Sequence, residues 1–150
     1  ANSSSISDGA SALLITSASE AQKRGLTVLA EIKGYTTNSQ HPEEFTIAPV
    51  GAIEKLLKNV GWSVNDVDLW EINEAFAMVT MAAIDAFKLD PEKVNINGGA
   101  CALGHPLGSS GSRIIVTLIH ALKRLGKTKG IATLCIGGGE ATALAVELSA

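Results

Sequence analysis

The sequence predicts a one-domain α/β fold in which helices cover a mixed sheet of five strands. Three observations carry this. Runs that alternate apolar and polar residues are interleaved with runs whose apolar residues recur every three or four positions. Glycines and helix-capping residues stand at the joints between them. The last two strand-like runs, 131–136 and 141–148, are separated only by a glycine turn, so they form a hairpin-like pair in a sheet otherwise linked by helices. With 150 residues, 46% of them apolar and 18% charged, the chain can bury a sizeable core. No repeat and no linker interrupts it, so 1–150 is read as one domain.

Residues 10–16 are apolar and read as a helix turn leading into a strand. Ser17 caps a helix over 18–24, and Gly25 stops it. A strand lies within 26–35, with Val28, Ala30 and Ile32 on one face. The polar stretch 36–47, with His41 and Pro42, reads as a loop. Pro49 opens a helix whose buried stripe is Ala52, Ile53, Leu56, Leu57 and Val60, and Gly61 ends it. A strand over 67–72 follows. Asn73 reads as the cap of a helix over 74–87, with Ala75, Phe76, Val79, Ala82, Ala83 and Ala86 inward. A short strand is expected at 94–96 and a glycine-rich loop at 98–110. A helix from about 111 to 125 then shows Ile114, Ile115, Leu118, Ile119 and Leu122 on its apolar face. Lys123 and Arg124 suit its C-terminal dipole, and Gly126 stops it.

Several function classes are excluded. The net charge is −3, no basic run occurs and only six residues are aromatic, so nothing builds a phosphate-tracking surface for nucleic acid. No apolar stretch is long enough for a membrane helix; 75–87 is too short and is broken by Thr80 and Asp85. Cys101 and Cys135 make no disulfide framework and suit a reducing compartment. Dinucleotide and Walker fingerprints are absent, and no cysteine or histidine pair has zinc spacing, so no metal site is expected. Residues 1–7 resemble neither a signal nor a transit peptide and lead straight into apolar sequence. The chain is therefore expected to begin inside a longer one, to end naturally in the strand over 146–150, and to be cytoplasmic.

Reactive side chains beside unusual glycine density mark three places. Asn73-Glu74-Ala75-Phe76 joins a strand to a helix; Asn73 reads as an N-cap, or as an amide that holds a water or a carbonyl oxygen in a cleft. His105 sits between Gly104 and Pro106 in a rigid turn, either as a turn histidine or as a proton-exchanging group. Cys135 ends a buried strand before Gly137, Gly138 and Gly139. It is an inert core cysteine, or a base or nucleophile beside exposed backbone N–H donors. His41 and His120 read as structural, and Trp62 and Trp70 as packing residues.

Taken together, Asn-Glu-Ala-Phe, Gly-His-Pro-x-Gly and Cys-x-Gly-Gly-Gly, in this order and spacing, resemble the C-terminal half of thiolases. Asn2-Ser3-Ser4 and Ser7-Asp8-Gly9-Ala10 resemble the family's Asn-Ala-Ser and Asn-Asp-Gly-Ala segments, so the resemblance spans essentially the whole chain. The text around the motifs is most similar to the acetyl-CoA acetyltransferase branch. The resemblance implies a thiolase-like layered domain, with an N-terminal half that carries a nucleophilic cysteine and lies outside this chain. It implies homo-oligomers, dimers or tetramers. It also implies condensation of two acetyl-CoA to acetoacetyl-CoA and CoA, or the reverse, with coenzyme A thioesters as substrates and no permanently bound cofactor.

By the same resemblance, His105 activates the nucleophile and helps bind the thioester oxygen. Cys135 moves the α-carbon proton. Asn73 fixes a water in one oxyanion hole, and Gly137 gives an N–H to the second. Ser4 contacts the pantetheine arm, and Ala75 and Phe76 belong to the same substrate-binding stretch. Thr46-Ile47-Ala48-Pro49 departs from the family's frequent Gly-x-Gly-Pro, and Cys101 is not at the nucleophile's position. A degradative 3-ketoacyl-CoA thiolase is the neighbouring reading. A non-catalytic CoA-binding or structural module is the reading of another class.

Overall fold

The computed structural model describes residues 2–148. Ala1, Ser149 and Ala150 lie outside the described residues, and with them the last part of the terminal strand expected over 146–150. Four strands form one sheet: β1 (Glu31–Ser39), β2 (Leu69–Ile72), β3 (Lys129–Ile136) and β4 (Glu140–Glu147), in the order β1-β4-β3-β2. β1 and β4 pair antiparallel, as do β3 and β4, whereas β2 and β3 run parallel. The helices are α1 (Ala18–Lys23), α2 (Ala48–Val60), α3 (Ala77–Phe87), α4 (Ala100–Leu103) and α5 (Ser110–Leu125).

The sheet separates two apolar clusters. On one face, Ile53 and Leu56 of α2 and Val79 and Ala83 of α3 pack on Trp70, Ile72, Ile131 and the alternating alanines Ala141, Ala143 and Ala145. Those alanines keep side-chain bulk low, so a helix can lie close to β4. On the other face, Ile114, Leu118 and Leu122 of α5 pack on Leu69, Ala132 and Val146. Both helical stripes follow the 3.6-residue period in the sequence. Left-handed Gly61 and Gly126 terminate α2 and α5, and Ser17 Oγ accepts from Glu20 N at 3.2 Å at the start of α1. No helix among the described residues is long and apolar enough to cross a membrane.

Several expectations need correction. Among the described residues the sheet has four strands, not five. At 94–96 only Val94 bridges to Trp70, because Asn95 takes a left-handed backbone (φ 48°) and breaks the extension. The Asn95 side chain replaces the missing strand: Oδ1 accepts from Ile72 N and Nδ2 donates to Ile72 O, both at 2.8 Å. Residues 10–16 form neither helix turn nor strand, and Leu14 and Ile15 are exposed. β1 begins later than expected and runs through Ser39, where a loop was expected.

Asn73 is not a helix cap. α3 starts four residues later, with Phe76 at its N-cap position. The N-terminal segment holds the intervening residues out of the helix: Ser4 N donates to Ala75 O at 3.1 Å, Ala77 N donates to Asn2 O at 2.9 Å, and Ser3 bridges to Phe76. On α3 the buried positions are Val79, Thr80 and Ala83, whereas Phe76 and Ala86 are exposed.

Candidate active site

Asn73 and Cys135 lie where the parallel pair β2–β3 ends, and His105 is hydrogen-bonded to Asn73 there. Asn73 follows β2, and its backbone N–H donates to Thr133 O of β3 at 3.0 Å. Its side chain is 2% exposed, and Nδ2 lies 3.3 Å from Nε2 of His105. Among the described residues, Asn73 Oδ1 is buried without a hydrogen-bond partner. Such an atom costs about 1–3 kcal/mol, so its retention points to an acceptor aimed at a ligand or a water.

His105 is held by its backbone and by its ring. Its N–H donates to Ser5 O at 2.8 Å, the carbonyl of Gly104 accepts from Arg113 Nη1 at 2.8 Å, and Ile6 bridges to His105. Gly104 has φ 87°, which only glycine adopts readily. Nδ1 of the ring lies 2.6 Å from Ser110 Oγ in the first turn of α5. Burial, followed by the positive charge of Arg113, pushes the imidazole pKa below its ordinary value. The ring is therefore neutral at physiological pH and able to accept a proton.

Cys135, next to last in β3, pairs with Ala141 and faces the α2–α3 side of the sheet. Burial pushes its thiol pKa up. Among the described residues no hydrogen bond joins it to His105 or Asn73; the three share one end of the sheet, and Asn73 and His105 are hydrogen-bonded to each other. Gly137 is exposed in the turn after Cys135. Both the amide and the hydroxyl of Ser4 donate to Ala75 O at 3.1 Å, and the half-exposed Phe76 meets Phe45 edge-on at 6.1 Å.

Glu71, Ser110 and Arg113 stand outside the three motifs, and Glu74 enters only as a member of Asn73-Glu74-Ala75-Phe76. Glu74 Oε2 accepts from Cys101 N at 3.0 Å and Oε1 from Asn95 Nδ2 at 3.1 Å, fastening α4 beside Asn73. Glu71 is 4% exposed, and burial raises its carboxyl to about 8. A charged residue inside a fully buried four-residue strand was the available signal for it. A serine four residues after a proline, at the start of a helix that follows the histidine turn, was the signal for Ser110. Among the described residues no group of three His, Cys, Asp or Glu side chains could hold a metal ion.

The chain matches the thiolase C-terminal domain over residues 26–148. It belongs to the thiolase family. A cytosolic acetyl-CoA acetyltransferase from Mus musculus is 50% identical over 147 residues, which is 98% of this chain and 37% of that thiolase. The crystal structure of the Bacillus anthracis acetyl-CoA acetyltransferase superimposes with a TM-score of 0.96 at 48% identity, covering 99% of this chain and 38% of that one. Human mitochondrial 3-ketoacyl-CoA thiolase in complex with CoA superimposes at 0.86 with 44% identity, covering 89% of this chain and 34% of that thiolase. The chain thus spans just over a third of the length of the thiolases it matches.

Proposed function

We propose that this chain is the C-terminal half of an acetyl-CoA C-acetyltransferase, which condenses two acetyl-CoA into acetoacetyl-CoA and CoA or runs the reverse thiolysis. The observation that carries the reading is the Asn73–His105 pair, with its orphaned Asn73 Oδ1, at the same sheet end as Cys135. The identity to acetyl-CoA acetyltransferases over nearly the whole chain supports it.

In this reading an N-terminal half supplies the nucleophilic cysteine. Nε2 of the neutral His105 takes that thiol's proton as the thiolate attacks the first acetyl thioester. CoA leaves with a proton, and an acetyl group remains on the cysteine. Cys135 as thiolate removes a proton from the α-carbon of the second acetyl-CoA, and the enolate attacks the acetyl carbonyl. The nucleophile's sulfur departs as a thiolate and takes up the proton that Cys135 removed, which restores both groups. In thiolysis Cys135 gives its proton to the α-carbon instead, and its raised thiol pKa suits that donor role. Asn73 holds a water for one oxyanion hole and Gly137 offers its N–H to the other, where developing charge needs preorganised donors. Ser4, Ala75 and Phe76 line the entry of the pantetheine arm. No permanently bound cofactor is called for.

The N-terminal half would cover the α5 face, where an apolar groove of about 270 Å³ runs between α5 and the β1–β4 pair. The whole enzyme would act in the cytoplasm as a dimer or tetramer. The isolated chain should therefore self-associate and lack activity. Thiolysis of acetoacetyl-CoA by the purified 150-residue chain alone would overturn that division of labour. The activity itself is tested with the full-length protein: CoA-dependent loss of acetoacetyl-CoA is expected, and its absence would favour a non-catalytic CoA-binding or structural module.

A 3-ketoacyl-CoA thiolase of broader chain length is the second reading. It is favoured by the human mitochondrial neighbour and by Thr46-Ile47-Ala48-Pro49 at the start of α2. A higher kcat/KM for long 3-ketoacyl-CoA than for acetoacetyl-CoA would select it.

A further inference from the structure

Both ring nitrogens of His105 have partners, and one partner dictates the tautomer. Ser110 is fully buried, so no solvent competes for its hydroxyl. That hydroxyl donates its proton to Pro106 O at 3.1 Å. A serine hydroxyl has one proton and two lone pairs. With the proton committed to Pro106 O, only a lone pair faces His105 Nδ1 at 2.6 Å. This arrangement puts the ring hydrogen on Nδ1, and the Asn73 Nδ2 donor facing Nε2 agrees with it. Nε2 presents its lone pair and accepts from Asn73 Nδ2 at 3.3 Å. The position of Ser110 is itself well defined, because the amides of Ser109 and Ser110 also donate to Pro106 O, at 2.8 and 2.9 Å.

We infer that Ser110 is a positioning residue for His105: its hydroxyl oxygen fixes the imidazole with the hydrogen on Nδ1 and the basic lone pair on Nε2. This rests on the proton-transfer role proposed for His105. In that role Nε2 gains the proton lost by the nucleophile's S–H and later returns it to the departing thiolate. The Nδ1–H bond to Ser110 persists throughout, so proton uptake needs no reorganisation behind the ring. The opposite tautomer would present an N–H to the thiol and could not accept its proton. A second-side hydrogen bond that sets the tautomer is a general feature of working histidines. Here a neutral hydroxyl supplies it where a carboxylate often does.

The test uses the full-length protein with Ser110→Ala, Ser110→Thr, His105→Gln and, as a control in the same turn, Ser112→Ala. Ser110→Ala should lower kcat for thiolysis by about ten- to a hundred-fold while KM moves by less than about two-fold. The acidic limb of its kcat/KM profile should move to lower pH, because the imidazolium loses an acceptor. Ser110→Thr should restore most of the rate, and Ser112→Ala should match the parent. A hydroxyl that merely braced α5 would leave the pH limb in place.

Parent-like kcat and pH limb in a folded Ser110→Ala, with His105→Gln inactive, would overturn the inference alone. An active His105→Gln would remove the role of His105, and the inference with it. If Ser110→Ala does not fold, neutron diffraction of the parent protein decides: a hydrogen on Nδ1 directed at Ser110 supports the assignment, and one on Nε2 at neutral pH overturns it.

Discussion

The His105 loop and the Cys135 turn end up at the same end of the sheet but are built in opposite ways. His105 and the carbonyl before it are hydrogen-bonded to Ser5, Asn73, Ser110 and Arg113, which come from three separate stretches of the chain. Cys135 has the ladder to Ala141, an apolar surrounding and three glycines behind it. The turn is tied down by Gln40 N donating to Gly139 O at 3.0 Å. The difference follows from what each group is proposed to do. A ring that must aim a lone pair needs bonds from several directions. A thiol that shuttles one proton needs an environment that sets its acidity, and space in front of it.

The largest test of this contrast is catalytic. His105→Ala and Cys135→Ala should each reduce thiolysis by the full-length protein by about 10³-fold or more, since each removes a proton carrier. Retention of a tenth of parent activity in either would break the assignment. Next in size is a pH effect under the His105 loop. Glu71 is neutral when buried, with its carboxyl raised to about 8 from an ordinary 4.5. Its contribution to stability is full below the ordinary value and is lost as pH rises through the folded one. Glu71→Gln should erase about 3–5 kcal/mol of pH-dependent destabilisation across that window. Unfolding free energies of parent and variant whose difference stays constant from pH 5 to about 8 would contradict this.

Two glycines give a matched pair of smaller effects. Gly104→Ala and Gly139→Ala both force a side chain onto left-handed backbone, φ 87° and 95°, against Ser7 and against the Gln40 carbonyl respectively. Each should cost about 1–3 kcal/mol in chemical denaturation. The kinetic outcomes should differ. Gly104→Ala tilts the many-anchored histidine and should lower kcat by about tenfold or more. Gly139→Ala lies four residues past the thiol and should lower kcat less. Equal rate losses would mean that the turn needs geometry as strict as the loop does. Smallest is Ser4→Ala, which removes one of two bonds to Ala75 O and should cost about 0.5–1.5 kcal/mol, with a modest rise in KM for CoA.

Much of this fold was legible because its signals are local. Ser17 and Gly25 frame α1, Pro49 and Gly61 frame α2, and Gly126 ends α5; each works through its own backbone or its immediate neighbours. The glycine turn between β3 and β4 was equally plain. What misled lay at long range. Asn73 has the composition of an N-cap, but Asn2, Ser3 and Ser4 hold residues 74–76 out of the helix from about seventy positions away. The run at 94–96 has strand composition, yet Asn95 turns left-handed so that its amide can pair with Ile72. The motifs singled out Asn73, His105 and Cys135 as candidates. They could not show that Asn73 faces the imidazole or that a buried serine sits behind it, because those contacts exist only once β2, the His105 turn and α5 have docked.

The strand order β1-β4-β3-β2 also bears on how the chain is made. Among the described residues β4 is one of the two inner strands and the last in sequence, and β1 pairs only with it, from Glu31 against Glu147 to Ser39 against Glu140. During synthesis β1 therefore emerges roughly a hundred residues before its partner, with Ile32 and Tyr35 on show. Until β4 leaves the ribosome, β1 has no native ladder to join, and its backbone edge stays open to pairing with a neighbour.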